Sequence, residues 1–132
     1  MNVQEAYPLI VTEQFREARD FYVKWLDMEV TFELDWVVYV SRAAGSGRTG
    51  VCLMAPGLEH QIPEHRIPYS GDSLILTFQV EDAQRELDAL QQRGFEPDVG
   101  IRDEPWGQRH FMARDPAGVW VDIVQQIDPD PG

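Results

Sequence analysis

The chain has 132 residues and a mass of 15.2 kDa, with 43% hydrophobic and 26% charged residues, which predicts one globular domain. A formal net charge of −12 disfavours nucleic acid as a partner, and no apolar stretch approaches the roughly 20 residues that span a bilayer. The single cysteine, Cys52, excludes an internal disulfide, and the first residues lack the features of a secretion signal, so we expect a cytoplasmic protein.

The first half of the chain has the pattern of one strand, one helix and three further strands. Tyr7–Thr12 is a short apolar strand, and apolar side chains recur at helical spacing over residues 15–26, with Thr12 as a candidate helix cap. Three β-rich segments then follow within residues 28–55. The glycines between the last two segments predict a hairpin loop: Gly45, Gly47 and Gly50.

The same order of elements returns after a proline-rich connection at residues 56–72. Ser73–Val80 is a predicted strand, and Ala83, Leu87 and Leu90 mark a second amphipathic helix that Gly94 ends. Three more strands are predicted within residues 95–102, 108–114 and 118–126.

The two halves correspond at an offset of 68 residues, which superposes Tyr7 on Ile75 and Tyr22 on Leu90. We therefore predict an α+β fold of two tandem βαβββ modules, at about residues 6–56 and 73–126, within one domain spanning residues 1–132. Two such modules would form curved mixed sheets around a cavity.

Two segments resemble the vicinal oxygen chelate superfamily, which includes glyoxalases, extradiol dioxygenases and bleomycin-resistance proteins. They are YPLIVTEQFREARDFYVKWLDMEV, near the beginning, and EPWGQRHFMARDPAGVWVDIVQ, near the end. The PWG and RDPAG motifs are typical of the bleomycin-resistance branch. The resemblance extends from about residue 6 to residue 126, and it implies the vicinal oxygen chelate fold.

The resemblance also places the usual metal ligands at four positions, occupied here by Tyr7, Cys52, Ile75 and Asp122. Ile75 has no donor atom, and Tyr7 would have to ionise to bind a cation well. One carboxylate and one thiol fall short of the three protein ligands of a catalytic zinc site. We therefore expect no metal and no cofactor, and whether the protein is an enzyme stays open.

Histidines and aromatic residues supply further candidates for the cavity. His60 and His65 lie in the connection and are expected to be exposed, whereas His110 lies beside Trp106 and Arg109 in a strand. His110 has two interpretations, a cavity group or a hydrogen-bonded structural residue. The segment from PWG to DPAG is one residue longer than in bleomycin-binding relatives, which leaves the orientation of Arg109, His110 and Phe111 open.

Four aromatic residues, Trp36, Tyr39, Trp106 and Trp120, either line the cavity or fill it. In bleomycin-binding relatives, aromatic side chains at the positions of Trp36 and Trp106 stack against the planar part of the drug. The candidate ligand-binding residues are Tyr7, Trp36, Tyr39, Cys52, Trp106, Arg109, His110, Trp120 and Asp122.

The first functional hypothesis is a metal-free binding protein that sequesters a planar or cationic small molecule, such as a drug or metabolite. Trp36 and Trp106 would stack against the ligand, while Asp122 and Glu104 would attract its positive charge. One alternative is a lyase or dioxygenase-type enzyme of the same superfamily with an atypical metal or none. Another is a dimeric partner protein with a vestigial pocket. Exposed sheet edges and the family resemblance together predict a homodimer.

Overall fold

The computed structural model describes residues 1–45 and 47–129. The chain divides between Ser70 and Gly71 into two units, here called unit 1 and unit 2. In the described residues each unit contains one α-helix and one four-stranded sheet, so the predicted α+β fold of two βαβββ modules is confirmed. No helix within the described ranges is long and apolar enough to cross a membrane.

Unit 1 has the predicted order of one strand, one helix and three strands. Its sheet order is β1-β4-β3-β2, with β1 parallel to β4 and the other neighbours antiparallel. The elements are β1 (Leu9–Val11), α1 (Phe15–Leu26), β2 (Glu29–Leu34), β3 (Val37–Ala44) and β4 (Gly47–Met54). The antiparallel pairing of Ala44 with Gly47 confirms the predicted hairpin between β3 and β4, but Gly47 and Gly50 are paired residues of β4 and not part of the loop.

Helix α1 buries Phe15, Ala18 and Tyr22, the apolar positions that its helical spacing predicts. The prediction that Thr12 caps this helix is wrong, because the helix begins after Gln14 and receives no side-chain cap. The Thr12 hydroxyl instead accepts a hydrogen bond from the Gln14 N–H at 3.0 Å. A hydroxyl two residues before an N–H forms a local turn that competes with helical capping.

Unit 2 repeats this architecture, with sheet order β5-β8-β7-β6. Asp82 caps the second helix by accepting the Arg85 N–H at 3.0 Å, and Gly94 follows the helix with a φ of +90°. That left-handed conformation suits glycine, as the sequence predicts. The elements are β5 (Ile75–Gln79), α2 (Ala83–Gln92), β6 (Val99–Glu104), β7 (Gln108–Arg114) and β8 (Trp120–Gln126).

The strand registers of the two units are equivalent. Leu9 is the neighbour of Cys52 in unit 1, and Thr77 is the neighbour of Asp122 in unit 2. Leu9 and Thr77 are separated by the 68 residues of the predicted offset. The registers therefore confirm that Cys52 and Asp122 occupy corresponding positions in the two modules.

Each sheet has a helix face, which packs against the α-helix of its unit, and an opposite, helix-free face. Paired residues of neighbouring strands share a face. The helix face of unit 1 is buried and includes the pairs Val38 with Leu53 and Val40 with Val51. In unit 2, Phe111 and Ile123 belong to the helix face. The intervening residues, among them Tyr39, Cys52, His110 and Asp122, lie on the helix-free faces.

Candidate functional site

A histidine bridges two carboxylates on the helix-free face of unit 2. His110 Nδ1 lies 2.7 Å from Asp122 Oδ1, and His110 Nε2 lies 3.1 Å from Glu104 Oε2. The exposed fraction is only 9% for the His110 side chain, 13% for Asp122 and 12% for Glu104. We call Glu104, His110 and Asp122 the histidine–carboxylate cluster.

Strand alternation brings this cluster together. The Phe111 ring packs on the Phe95 ring on the helix face, with 6.2 Å between centroids, so the preceding residue, His110, turns to the helix-free face. Strands β6 and β8 flank β7, and they supply Glu104 and Asp122 to that same face. A register shift between Val99 and Arg102 places the end of β6 beside His110.

His110 contacts one carboxyl group through each of its two ring nitrogens. A neutral imidazole has one N–H donor and one lone-pair acceptor, so it cannot donate to two carboxylates. Both contacts are hydrogen bonds only when the imidazole ring or one carboxyl group holds an additional proton. Glu104, His110 and Asp122 then carry one net negative charge together.

Polar and aromatic side chains surround the cluster. Arg102 Nη2 lies 3.4 Å from Glu104 Oε1, and the Arg102 side chain is 60% exposed. The Trp106 indole donates a hydrogen bond to Gln108 Oε1 at 2.8 Å, and Gln108 is the strand neighbour of Glu104. Trp106 is 63% exposed and lies in the turn between β6, which ends at Glu104, and β7.

The structure separates Arg109 from the other candidates of its strand. Arg109 lies on the helix face, because it precedes His110 in β7 and neighbouring residues alternate. Its guanidinium binds Asp103 through two hydrogen bonds of 2.7 and 2.9 Å, which raises the pKa of Arg109 and lowers that of Asp103. The structure thereby decides the orientation that the sequence leaves open: Arg109 and His110 lie on opposite faces of the sheet.

Trp120 is half-buried on the helix-free face of unit 2, next to Ile75 on β5. The Arg114 guanidinium carbon lies 4.4 Å from the centroid of the Trp120 ring, a cation–π geometry. Arg114 also forms an ion pair with Asp72. One face of the Trp120 ring is thus covered by a residue of its own unit.

Two tyrosines whose rings meet at an angle of 47° occupy the helix-free face of unit 1. The ring centroids of Tyr7 and Tyr39 are 4.9 Å apart, and the Tyr39 hydroxyl donates a hydrogen bond to Glu5. Burial, followed by the interaction with Glu5, raises the pKa of Tyr39 to about 12. The Tyr39 ring lies against Gly50, where a Cβ atom would be 2.6 Å from the hydroxyl oxygen.

Trp36 lies in the turn between β2 and β3 and contacts the proline-rich connection. Its ring meets the His60 ring edge-on, with 4.4 Å between centroids. His60 and His65 are both exposed, in agreement with the sequence prediction. Trp36 is half-buried, so part of its aromatic surface is covered by His60 and part faces solvent.

A comparison with known protein families agrees with this fold. Residues 6–123 match the family described as the Glyoxalase/Bleomycin resistance protein/Dioxygenase superfamily. The chain belongs to this superfamily. No curated protein matches the sequence.

Solved structures share the fold of this superfamily member. A glyoxalase/bleomycin resistance protein/dioxygenase from Nocardioides is 16% identical with a TM-score of 0.77, covering 100% of this chain and 89% of its own. TnmS3, an antibiotic binding protein from Streptomyces sp. CB03234, is 24% identical with a TM-score of 0.66, covering 96% of both chains. A lactoylglutathione lyase from Agrobacterium tumefaciens is 17% identical with a TM-score of 0.70, covering 95% and 96%.

The residues at the four superfamily metal positions fit a divalent cation poorly. Ile75 offers no donor atom, and burial raises the pKa of the Cys52 thiol, which opposes formation of the thiolate that binds metals. Asp122 is hydrogen-bonded to His110. Within residues 1–45 and 47–129, no group of three His, Cys, Asp or Glu side chains is arranged to hold a metal ion. In the histidine–carboxylate cluster the two carboxylates bind different ring nitrogens.

Some contacts on the helix-free faces of unit 1 and unit 2 were not predicted from the sequence. Arg102 and Glu104 are two positions apart along β6, so the period-two spacing of a strand alone indicates that they share a face. The contact of Glu5 with Tyr39 joins residues 34 positions apart, and no local pattern signals it. The close approach of Gly50 to the Tyr39 ring likewise depends on the pairing of β3 with β4.

Proposed function

We propose that this protein binds a small planar or cationic molecule at the histidine–carboxylate cluster of unit 2, without a metal, and acts by sequestering it. The observation that carries the proposal is the hydrogen bond between Asp122 and His110. The carboxylate at a metal-ligand position of the superfamily thereby belongs to an anionic cluster that suits an organic cation.

Charge and aromatic surface both support this ligand class. The histidine–carboxylate cluster contains two carboxyl side chains, and the whole chain carries a formal charge of −12, which raises the local concentration of cations. Trp106 presents an exposed ring in the turn that follows Glu104 and is hydrogen-bonded to Gln108, so we expect a planar cation to stack on the indole while its charge meets Glu104.

TnmS3, an antibiotic binding protein with the same fold, suggests a class of test ligand. Bleomycin and pentamidine, an aromatic diamidine, both combine planar rings with positive charge. Either molecule would be held stoichiometrically, and protection against a drug would follow from capture of the drug.

Tryptophan fluorescence tests this proposal directly. We expect saturable quenching on addition of bleomycin or pentamidine, and Trp106→Ala is expected to weaken binding several-fold, because one stacked aromatic contributes on the order of 1 kcal/mol. Asp122→Asn is expected to weaken binding of both cations. Trp25→Phe, on α1, and Asp103→Asn, on the helix face, are matched controls that keep wild-type affinity.

Absence of saturable quenching by both cations contradicts the proposed function. Equal weakening by Asp103→Asn and Asp122→Asn also contradicts it, since the effect then reflects total charge rather than the cluster. If Trp106→Ala binds bleomycin and pentamidine with wild-type affinity, the proposed stacking on Trp106 is wrong.

A lyase-type activity is the second candidate, and the orientation of His110 favours it. Asp122 contacts Nδ1 and fixes the ring, so that Nε2 and the Glu104 carboxyl group it contacts form a pair that could exchange a proton with a substrate. Production of lactoylglutathione from methylglyoxal and glutathione, lost in His110→Asn and retained in Asp103→Asn, would support this candidate.

We also propose that the protein is a homodimer. Equivalent apolar positions of the two units are exposed on their helix-free sides, with Tyr7 at 50% and Ile75 at 47%. Phe32 and Leu34 of β2 are 53% and 45% exposed. A second copy carries the same apolar residues, and a two-fold symmetric contact would bury them on both chains.

A further inference from the structure

We propose that Arg102 is an internal competitor of the ligand cation. Its guanidinium group occupies the Oε1 atom of Glu104 in the free protein, and an ammonium, guanidinium or amidinium group of the ligand displaces it. The inference rests on the proposed function and adds the residue that sets the affinity for a cation. It concerns residues of unit 2 only.

Strand register places Arg102 beside the histidine–carboxylate cluster. Arg102 is the β6 neighbour of His110 on β7, so it shares the helix-free face with that ring. The two oxygen atoms of Glu104 have different partners: Oε2 lies 3.1 Å from His110 Nε2, and Oε1 lies 3.4 Å from Arg102 Nη2. Arg102 therefore takes the position in which a ligand cation would meet Glu104.

The contact between Arg102 and Glu104 has the features of an ion pair that opens easily. A single distance of 3.4 Å joins the two groups, and the Arg102 side chain is 60% exposed. In the neighbouring pair on the helix face, Arg109 binds Asp103 through two shorter hydrogen bonds of 2.7 and 2.9 Å. An exposed ion pair contributes little because water solvates the separated charges well, so Arg102 can turn into the solvent at a small cost in free energy.

Glu104 stays in place when Arg102 moves. Its side chain is only 12% exposed and contacts His110, which is fixed on its other side by Asp122 at 2.7 Å. A carboxylate with so little exposure to water is costly to leave without a cationic partner. Arg102 supplies that partner in the free protein and the ligand supplies it in the complex, so binding exchanges one cation for another. The affinity for the ligand is lowered by the contact that must be broken.

Fluorescence titration of the wild type and of Arg102→Gln with bleomycin and pentamidine tests this competition. We expect Arg102→Gln to bind each cation about two- to fivefold more tightly, because an exposed ion pair no longer has to be broken. Arg85→Gln removes the same charge from an exposed position on α2 and is expected to keep wild-type affinity. A purely structural role of Arg102 in β6 would not raise the affinity.

The double variant separates competition for Glu104 from general charge repulsion. In Glu104→Gln, Arg102 has no carboxylate to occupy, so adding Arg102→Gln is expected to raise the affinity much less than it does in the wild type. An equal gain in the two backgrounds overturns the inference, since Arg102 then acts only by repelling the ligand. A gain in Arg85→Gln as large as that in Arg102→Gln overturns it as well.

Unchanged or weaker binding of both cations by Arg102→Gln overturns this inference and leaves the proposed function standing. Failure of both cations to bind overturns the inference and the proposed function together. A crystal structure of the wild type with pentamidine gives a second measurement that needs no variant. We expect an amidinium group on Glu104 Oε1 and the Arg102 side chain turned into the solvent, and an Arg102 that still contacts Glu104 in the complex overturns the inference.

Discussion

His110 Nδ1 lies 2.7 Å from Asp122 Oδ1, in a contact that joins the adjacent strands β7 and β8. Asp122 corresponds to Cys52 in the other module, and both are positions where the sequence resemblance predicts the metal ligands of metal-using superfamily members. In unit 1 that position holds a buried thiol, and in unit 2 it holds one end of a hydrogen-bonded cluster. The two modules have thus diverged in chemistry while keeping the same strand register.

The hydrogen bond between His110 and Asp122 is expected to stabilise the fold. Asp122→Asn removes a largely buried charged acceptor, and losses of this kind cost about 1–3 kcal/mol in the free energy of unfolding. Urea denaturation measures the change. Asp103→Asn, which breaks an exposed pair with Arg109, is expected to change the midpoint much less. An Asp122→Asn midpoint equal to that of the wild type contradicts the prediction.

Gly50 is expected to tolerate no side chain while Tyr39 keeps its position. An added Cβ would lie 2.6 Å from the Tyr39 hydroxyl oxygen and 2.7 Å from a ring carbon, so the ring must move away from Tyr7 and Glu5. We expect Gly50→Ala to lower the free energy of unfolding by about 1–3 kcal/mol, the usual cost of overpacking. Urea denaturation measures this change.

Gly47→Ala is the matched control for Gly50→Ala. Gly47 lies on the same strand, β4. A Cβ atom added there would be 3.9 Å from the Ala44 carbonyl oxygen, which is an ordinary van der Waals contact. Combining Gly50→Ala with Tyr39→Ala should remove most of the cost of the glycine substitution, because the clashing ring is then absent. If Gly50→Ala lowers the free energy of unfolding as much in the Tyr39→Ala background as in the wild type, the strain does not come from the clash with the Tyr39 ring.

The stability of the protein is expected to fall at high pH because of Tyr39. Burial and the hydrogen bond to Glu5 raise its pKa from 10.0 to about 12 in the folded protein. The folded state therefore holds the phenolic proton more tightly than the unfolded state. This contribution is complete below about pH 10 and is lost as the pH rises through about 12.

Tyrosinate absorbance of the wild type minus that of Tyr39→Phe isolates the Tyr39 titration. We expect a midpoint near 12 in the difference, and a lower midpoint in Glu5→Gln, where the carboxylate charge is removed. A Tyr39 midpoint near 10 in the folded wild type contradicts the prediction.

Purified protein is expected to contain no stoichiometric metal. Ile75 has no donor atom, and the Cys52 thiol is buried with a raised pKa, so the superfamily positions supply too few ligands. Elemental analysis of untagged protein from cells grown with added zinc, iron, nickel and manganese tests this expectation. One equivalent of metal that disappears in Asp122→Ala contradicts it.

The protein is expected to form a dimer of twice its 15.2 kDa mass. Light scattering at micromolar concentration measures the mass directly. Phe32→Glu places a charge on an exposed apolar position of β2 and is expected to weaken association, whereas Glu29→Gln on the same strand serves as the control. A wild-type mass of one chain contradicts the proposal.

Several elements follow directly from local sequence patterns. Strand β7 (Gln108–Arg114) has the predicted bounds, and α2 lies where the spacing of Ala83, Leu87 and Leu90 predicts it. These patterns suffice because periodic burial and the glycine after the helix act within a few residues. Thr12 is the exception, since its hydroxyl has a closer N–H available than the first turn of α1.

The amino-acid sequence by itself determined the two βαβββ modules and the superfamily, whereas the weak metal-ligand set at Tyr7, Cys52, Ile75 and Asp122 stays a prediction. Only the tertiary structure decided which candidates meet. Arg109 and His110 are adjacent in sequence, yet one binds Asp103 on the helix face and the other joins Asp122 on the helix-free face. The physical reason is strand register: a shift of one residue exchanges the two faces, and register depends on pairing between strands that are distant along the chain.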